Sequence, residues 1–118
     1  MLFGRHKKTE NEGDPARDEA LNQVLRADLG IIYKHSPVCR TSAVAMRHVQ
    51  DFMTRNPDIP VYTVDVVRDR KLARRLAADW GIPHESPQVV VLRQGVPRAH
   101  GSHYDITIDR LEGWCTSE

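Results

Sequence analysis

The sequence predicts a single α/β domain built on a mixed four-stranded sheet flanked by helices. Three observations carry that expectation. Segments of helical and strand periodicity alternate along most of the chain, which implies helical crossovers between parallel strands. The last two strand-like segments are separated only by a turn at Gln94-Gly95, which makes that pair antiparallel. The chain has 118 residues with no internal repeat or composition break, a length that suits one core.

Each element has its own signal. Residues 1–13 are polar and are expected to form a disordered tail ahead of a domain over residues 14–114, with a short second tail at 115–118. Asp14-Pro15 reads as a cap followed by proline at the first helical position, and Leu21, Val24 and Leu25 recur at helical spacing before Gly30. Leu29 to Tyr33 is an apolar strand, followed by a turn-like stretch from Lys34 to Val38. From Cys39 the pattern is helical again, with Ala45, Val49, Phe52 and Met53 on one face until Asn56-Pro57-Asp58-Ile59-Pro60 stops it. Val61 to Val66 is rich in β-branched residues and reads as a strand. Arg70 to Trp80 is helical, with Leu72, Leu76 and Trp80 in one row and Gly81 as its end. Gln88 to Leu92 and Val96 to His100 are the hairpin strands, and Thr107 caps a last helix ending at Trp114, with Asp109 in its first turn. The order α-β-α-β-α-β-β-α, with its mixed sheet, is the thioredoxin-like architecture.

Composition excludes several functions. The formal charge is +1, from 17 basic and 16 acidic residues, so neither nucleic acid nor an anionic membrane is expected as the main partner. No apolar run approaches the roughly 20 residues of a membrane helix. The basic start Met1 to Lys8 lacks the apolar stretch of a secretory signal, so the cytoplasm, where thiols stay reduced, is the expected compartment. Cys39 and Cys115 are the only cysteines. Two distant cysteines make no disulfide framework, and the histidines lack ligand spacing, so no metal site is expected.

Cys39 is the candidate nucleophile. It stands at a strand-to-helix junction, where it meets unpaired backbone N–H groups and the positive end of a helix dipole. Both favour the thiolate, and Lys34, Arg40 and His35 place further positive charge nearby. The spacing is C-x-x-S: Ser42 stands where a second thiol would resolve an intramolecular disulfide. One cysteine then carries the exchange, and a partner thiol finishes the cycle. A buried, inert cysteine is the alternative, but Cys39 lies outside the apolar stripe of its helix.

Two further segments surround this chemistry. In His84-Glu85-Ser86-Pro87-Gln88 the proline immediately precedes a strand. In a thioredoxin-like fold that proline is cis and faces the nucleophile, and it turns the backbone of Ser86 toward an extended substrate segment. In Gly101-Ser102-His103-Tyr104-Asp105 the backbone N–H groups and the following helix start offer a carboxylate site for a small acidic thiol. Arg68, Arg70, Arg74 and Arg75 read as a solvated helix face, Trp80 as core and Cys115 as a spectator near the chain end.

Four blocks resemble the YtxJ-type monothiol bacilliredoxins: Lys34 to Ala43, Val64 to Arg70, His84 to Gln88, and Ser102 to Thr107. They occur in the family's order across roughly Asp18 to Glu112. The resemblance implies a thioredoxin-like fold and removal of bacillithiol from protein mixed disulfides. It implies Cys39 as nucleophile, Pro87 as the cis proline and Ser86 as a backbone contact. Lys34, Arg40, Ser42, Gln88, Ser102 and His103 complete the expected substrate-binding set. Where the family usually has proline and isoleucine after the cysteine, this chain has Arg40 and Thr41.

The expected activity is therefore monothiol exchange with bacillithiol or another low-molecular-weight thiol as co-substrate, with no tightly bound cofactor. The expected partners are S-thiolated client proteins and a thiol or disulfide reductase, and the chain is expected to act as a monomer. The competing readings are a non-catalytic module that holds clients through the Pro87 face, and an iron–sulfur carrier, for which the chain lacks the glycine and aromatic residue of the monothiol glutaredoxin motif.

Overall fold

The computed structural model describes residues 15–116. The expected cap at Asp14 and the tail over 1–13 lie outside the described residues. The elements are α1 (Pro15–Arg26), β1 (Leu29–His35), α2 (Arg40–Arg55), β2 (Val61–Asp65), α3 (Arg70–Trp80), β3 (Gln88–Arg93), β4 (Val96–Ser102), a single 3-10 turn at His103–Asp105, and α4 (Ile108–Thr116). The sheet order is β2-β1-β3-β4. β1 and β2 are parallel, with Ile31 opposite Val61. β3 is antiparallel to both β1 and β4, with Lys34 opposite Gln88 and Gln88 opposite Ser102. The thioredoxin-like architecture read from the element order is the one observed. The hairpin turn has positive φ at both Gln94 and Gly95, the backbone that suits tightly paired antiparallel strands.

Strand alternation divides the core into two layers. Ile32, Val64, Val90 and Leu92 pack with Leu21 and Val24 of α1 and with Leu72, Ala73 and Leu76 of α3. Ile31, Tyr33, Val89 and Val91 pack on the other face with Ala45, Val49 and Phe52 of α2 and with Leu111 and Cys115 of α4. Successive strand residues point to opposite faces, so the mixed apolar run of β1 feeds both layers. Polar ties close the edges. Arg17 of α1 meets the buried Asp69 carboxylate at the start of α3 at 3.3 Å. The N–H of Ile108 donates to His48 Nδ1, linking α4 to α2. Thr107 Oγ1 accepts from the Arg110 N–H at 3.2 Å, the cap expected for the last helix.

Three expectations are corrected. Lys34 and His35 were expected in a turn but belong to β1, which pairs through His35 opposite Asp65; their polar side chains find partners, so they do not end the strand. The last helix runs to Thr116 instead of ending at Trp114, and Cys115 is buried in it rather than lying in a tail. Met53 is 42% exposed and sits beside the apolar stripe of α2 rather than in it.

At Gly30 the first strand passes directly against Val24 of α1. A Cβ there would stand 2.6 Å from the Val24 carbonyl oxygen and 2.9 Å from Val24 Cγ1. Gly30→Ala is therefore expected to destabilise the protein by about 1–3 kcal/mol through overpacking. Urea unfolding measures it, and a change within about 0.5 kcal/mol would show that α1 yields without cost.

Candidate active site

The C-terminal ends of β1, β2 and β4 and the N-terminal end of β3 lie at one edge of the sheet. Beyond β1 the chain turns sharply: the Cys39 N–H donates to the Ser36 carbonyl at 3.2 Å. Pro37 and Val38 project into solvent, Val38 at 84% exposure. Cys39 then takes an extended backbone as the residue that precedes α2, and its carbonyl accepts the first helical hydrogen bond from Ala43. It is half-exposed.

The neutral thiol makes no capping hydrogen bond; the helix start acts on the charged form. The Cys39 thiol is held below its ordinary range first by the Ser42 backbone N–H. The Thr41 N–H and the Ser42 and Thr41 hydroxyls add to this, against partial desolvation. The backbone donors belong to the first turn, which has no preceding helical carbonyl to take them. The Lys34 and Arg40 charges expected to activate the thiol are not among the causes. Arg40 opens α2 and is exposed. Lys34 lies on the opposite sheet face and is 1% exposed.

Ser42 holds this turn together. It is fully buried. Its Oγ accepts from the Ser36 N–H at 3.2 Å, which leaves the hydroxyl proton free to turn toward the sulfur. Its carbonyl accepts from the Tyr33 hydroxyl at 3.1 Å. The same hydroxyl lies 2.9 Å from His35 Nδ1. A phenol donates one proton, so with Ser42 as its acceptor, His35 Nδ1 is the donor in that second contact. Burial keeps the His35 imidazolium disfavoured, with Asp65 opposing. Tyr33 is likewise kept neutral, by burial first and then by the charge of Cys39, against the Ser42 hydrogen bond. Tyr33 and Thr41 are site residues that the sequence reading did not single out. Period-two alternation carried one step further would have placed Tyr33 and His35 together under α2.

The remaining expected residues divide by what their side chains touch. The Ser86–Pro87 peptide is cis, as expected, and Pro87 is buried at the start of β3. The Pro87 carbonyl accepts from the His103 N–H at 3.0 Å, which joins the two loops. Ser86 is half-exposed and its backbone is in no hydrogen bond among the described residues. Ser102 closes β4, and His103 follows it exposed, with φ 54. Gln88, expected to bind substrate, is 2% exposed and donates Nε2 to the Pro83 carbonyl at 3.0 Å; it supports the loop from beneath. The Gly101 to Asp105 segment, expected to receive a carboxylate, borders a cavity of about 300 Å³ whose lining includes Glu85 and Asp105 as well as Gln88 and His100.

Ser42→Ala removes one donor and the partner of Ser36 while leaving the backbone N–H groups. The Cys39 pKa is expected to rise, and its alkylation rate at neutral pH to fall by up to about tenfold. Alkylation rate against pH measures this. An unchanged midpoint would remove Ser42 from the account.

The sequence matches the family described as "Monothiol bacilliredoxin BrxC" over residues 16–111. Among solved structures, the chain is 27% identical to a protein described as "A putative oxidoreductase with a thioredoxin fold", at a TM-score of 0.75, covering 81% of this chain and 86% of that one. It shares the fold, at 16% identity and a TM-score of 0.66, with mitochondrial thioredoxin 3 from Saccharomyces cerevisiae, covering 83% and 86% of the two chains. Fasciola hepatica thioredoxin is similar at 18% identity and a TM-score of 0.65, with coverage of 86% and 90%. A match running from the first turn of α1 into α4 means that this chain belongs to the monothiol bacilliredoxin family.

Proposed function

We propose that the protein is a monothiol thiol–disulfide oxidoreductase that removes bacillithiol, or another low-molecular-weight thiol, from mixed disulfides on cytoplasmic client proteins. The observation that carries this reading is a half-exposed Cys39 favoured as thiolate by the first turn of α2, with Ser42 where a second thiol would stand. The family's thiol redox role and fold support it.

The cycle balances with two exchanges. The Cys39 thiolate attacks the small-thiol sulfur of the client mixed disulfide. That S–S bond breaks, a Cys39–small-thiol disulfide forms, and the client leaves as a thiolate that takes a proton from water. A second small-thiol molecule, as thiolate, then attacks the Cys39 adduct. Cys39 is freed, and the symmetrical small-thiol disulfide passes to a disulfide reductase, which supplies the two electrons. Attack on the client sulfur instead would leave the client bound to Cys39 with no neighbouring thiol to displace it.

Client binding follows from the loop geometry. Ser86 offers an N–H and a carbonyl to an extended client segment by strand addition. Exposed Val38 and Tyr104 lie on the loops that follow β1 and β4 at this end of the sheet and provide apolar contact.

Activity is expected to depend on one cysteine. Burial pushes the Cys115 thiol up to about 11, with Glu112 adding to this and Arg93 opposing it. At neutral pH Cys115 therefore supplies little thiolate. Release of small thiol from an S-thiolated client should vanish in Cys39→Ala and persist in Cys115→Ala. Equal loss in both variants would contradict the single-cysteine cycle. A wild-type protein that expels one equivalent of small thiol, stays joined to the client through a stable Cys39 disulfide and does not turn over would be a binding module.

A further inference from the structure

Lys34 is a buried cation with an unusual set of partners. Its residue exposure is 1%, a rare position for lysine because burying an ammonium costs several kcal/mol unless it is well paired. No carboxylate pairs with it among the described residues. Its Nζ donates instead to the Ala73 carbonyl of α3 at 3.2 Å and meets His84 Nδ1 at 3.3 Å. An ammonium only donates, so His84 accepts at Nδ1 and carries its proton on Nε2.

His84 lies in the connection between α3 and β3, two residues before Ser86. That connection has few anchors of its own. Ile82 is tied back to Ala77, and Pro87 to His103. Between them, residues 83–86 make no backbone–backbone hydrogen bond among the described residues. Two side chains from the sheet hold this span: Gln88 through the Pro83 carbonyl, and its cross-strand partner Lys34 through His84.

We propose that Lys34 is a positioning residue for client recognition: through His84 it seats the Pro83–Ser86 loop, and the seat opens when His84 gains a second proton. This rests on the reading that clients pair with Ser86. Protonation at Nδ1 removes the acceptor and sets an imidazolium against an ammonium. The groups facing His84 are Lys34 of β1, Arg74 of α3 and Glu85 of its own loop. Burial first, then Lys34 and Arg74, favour the neutral imidazole, and Glu85 opposes them. In the seated loop the His84 pKa thus lies below its released value of about 6.5. The seat is fully formed above that value and is lost as pH falls through the lower, seated one.

The test separates loop position from thiol activation. Three variants are compared with wild type between pH 5.5 and pH 8: Lys34→Met, His84→Ala and His84→Gln, the last keeping an acceptor that does not titrate. The readouts are KM and kcat on an S-thiolated client, the alkylation rate of Cys39, and the amide NMR shifts of Glu85 and Ser86. Lys34→Met and His84→Ala should raise KM by roughly tenfold, the factor set by 1.4 kcal/mol, with the loss falling on KM and the alkylation rate unmoved. Wild-type KM should rise on acidification below about pH 6.5, and His84→Gln should abolish that rise while matching wild type at pH 7.5. The Glu85 and Ser86 amides should titrate in wild type and stay flat in His84→Gln. Slower alkylation with unchanged KM in Lys34→Met would overturn the proposal, since the lysine would then act on the thiolate. Identical amide titrations in wild type and His84→Gln would also overturn it. If wild type turns over no client, the functional reading fails, while the amide titration still decides whether Lys34 and His84 seat the loop. The His84 variants change a surface residue and serve if Lys34→Met does not fold.

Discussion

The first turn of a helix leaves backbone N–H groups without intrahelical partners, and in this protein those of α2 face the sulfur of Cys39. Their effect depends on the turn staying in place, and Ser42 holds it. The Ser42 N–H is the leading influence on the Cys39 thiol, its Oγ takes the Ser36 N–H, and its carbonyl takes the buried Tyr33 hydroxyl. Sheet, turn and helix are thereby tied through one buried residue. A thiolate so placed is a nucleophile whose activation comes from hydrogen bonds rather than from a nearby cation. Because Ser42 fills the place of a second thiol, its structural role and the monothiol character of the site have one cause.

The sheet separates two jobs. On the face covered by α2 and α4, Tyr33 and His35 support the nucleophile's turn. On the face covered by α1 and α3, Lys34 and Gln88 support the loop that leads into Pro87. Adjacent residues of one strand thus serve different parts of the site, since side chains alternate across the sheet. The two supports meet at the same edge because β1 ends where the antiparallel β3 begins.

Much of this was legible in the sequence. Periodicity and the Gln94-Gly95 turn gave the element order, and the cysteine at a strand-to-helix junction gave the candidate nucleophile. What escaped was set by distant partners. Lys34 and His35 look like turn residues because nothing local shows that Lys34 will meet Ala73 and His84, which are 39 and 50 positions away. Lys34 also looks like an activator of Cys39 because it is five residues off in sequence, yet the pleat sends its side chain to the other face. Ser42 reads as a missing thiol, since the contacts it makes through its N–H, its Oγ and its carbonyl leave no trace in spacing. The length of α4 was underestimated because Cys115 beyond Trp114 gives no helical signal until Leu111 and Cys115 are seen to share a buried face.

The central claim is that Cys39, lacking a neighbouring thiol, takes the small thiol and frees the client. The direct measurement is the mass of the Cys39 adduct after rapid mixing of the reduced protein with a bacillithiolated client and an acid quench. The account predicts Cys39 carrying the small thiol alone, with the client recovered as a free thiol in equal amount. A quenched species in which Cys39 is joined to the client protein, with bacillithiol released first, would contradict it.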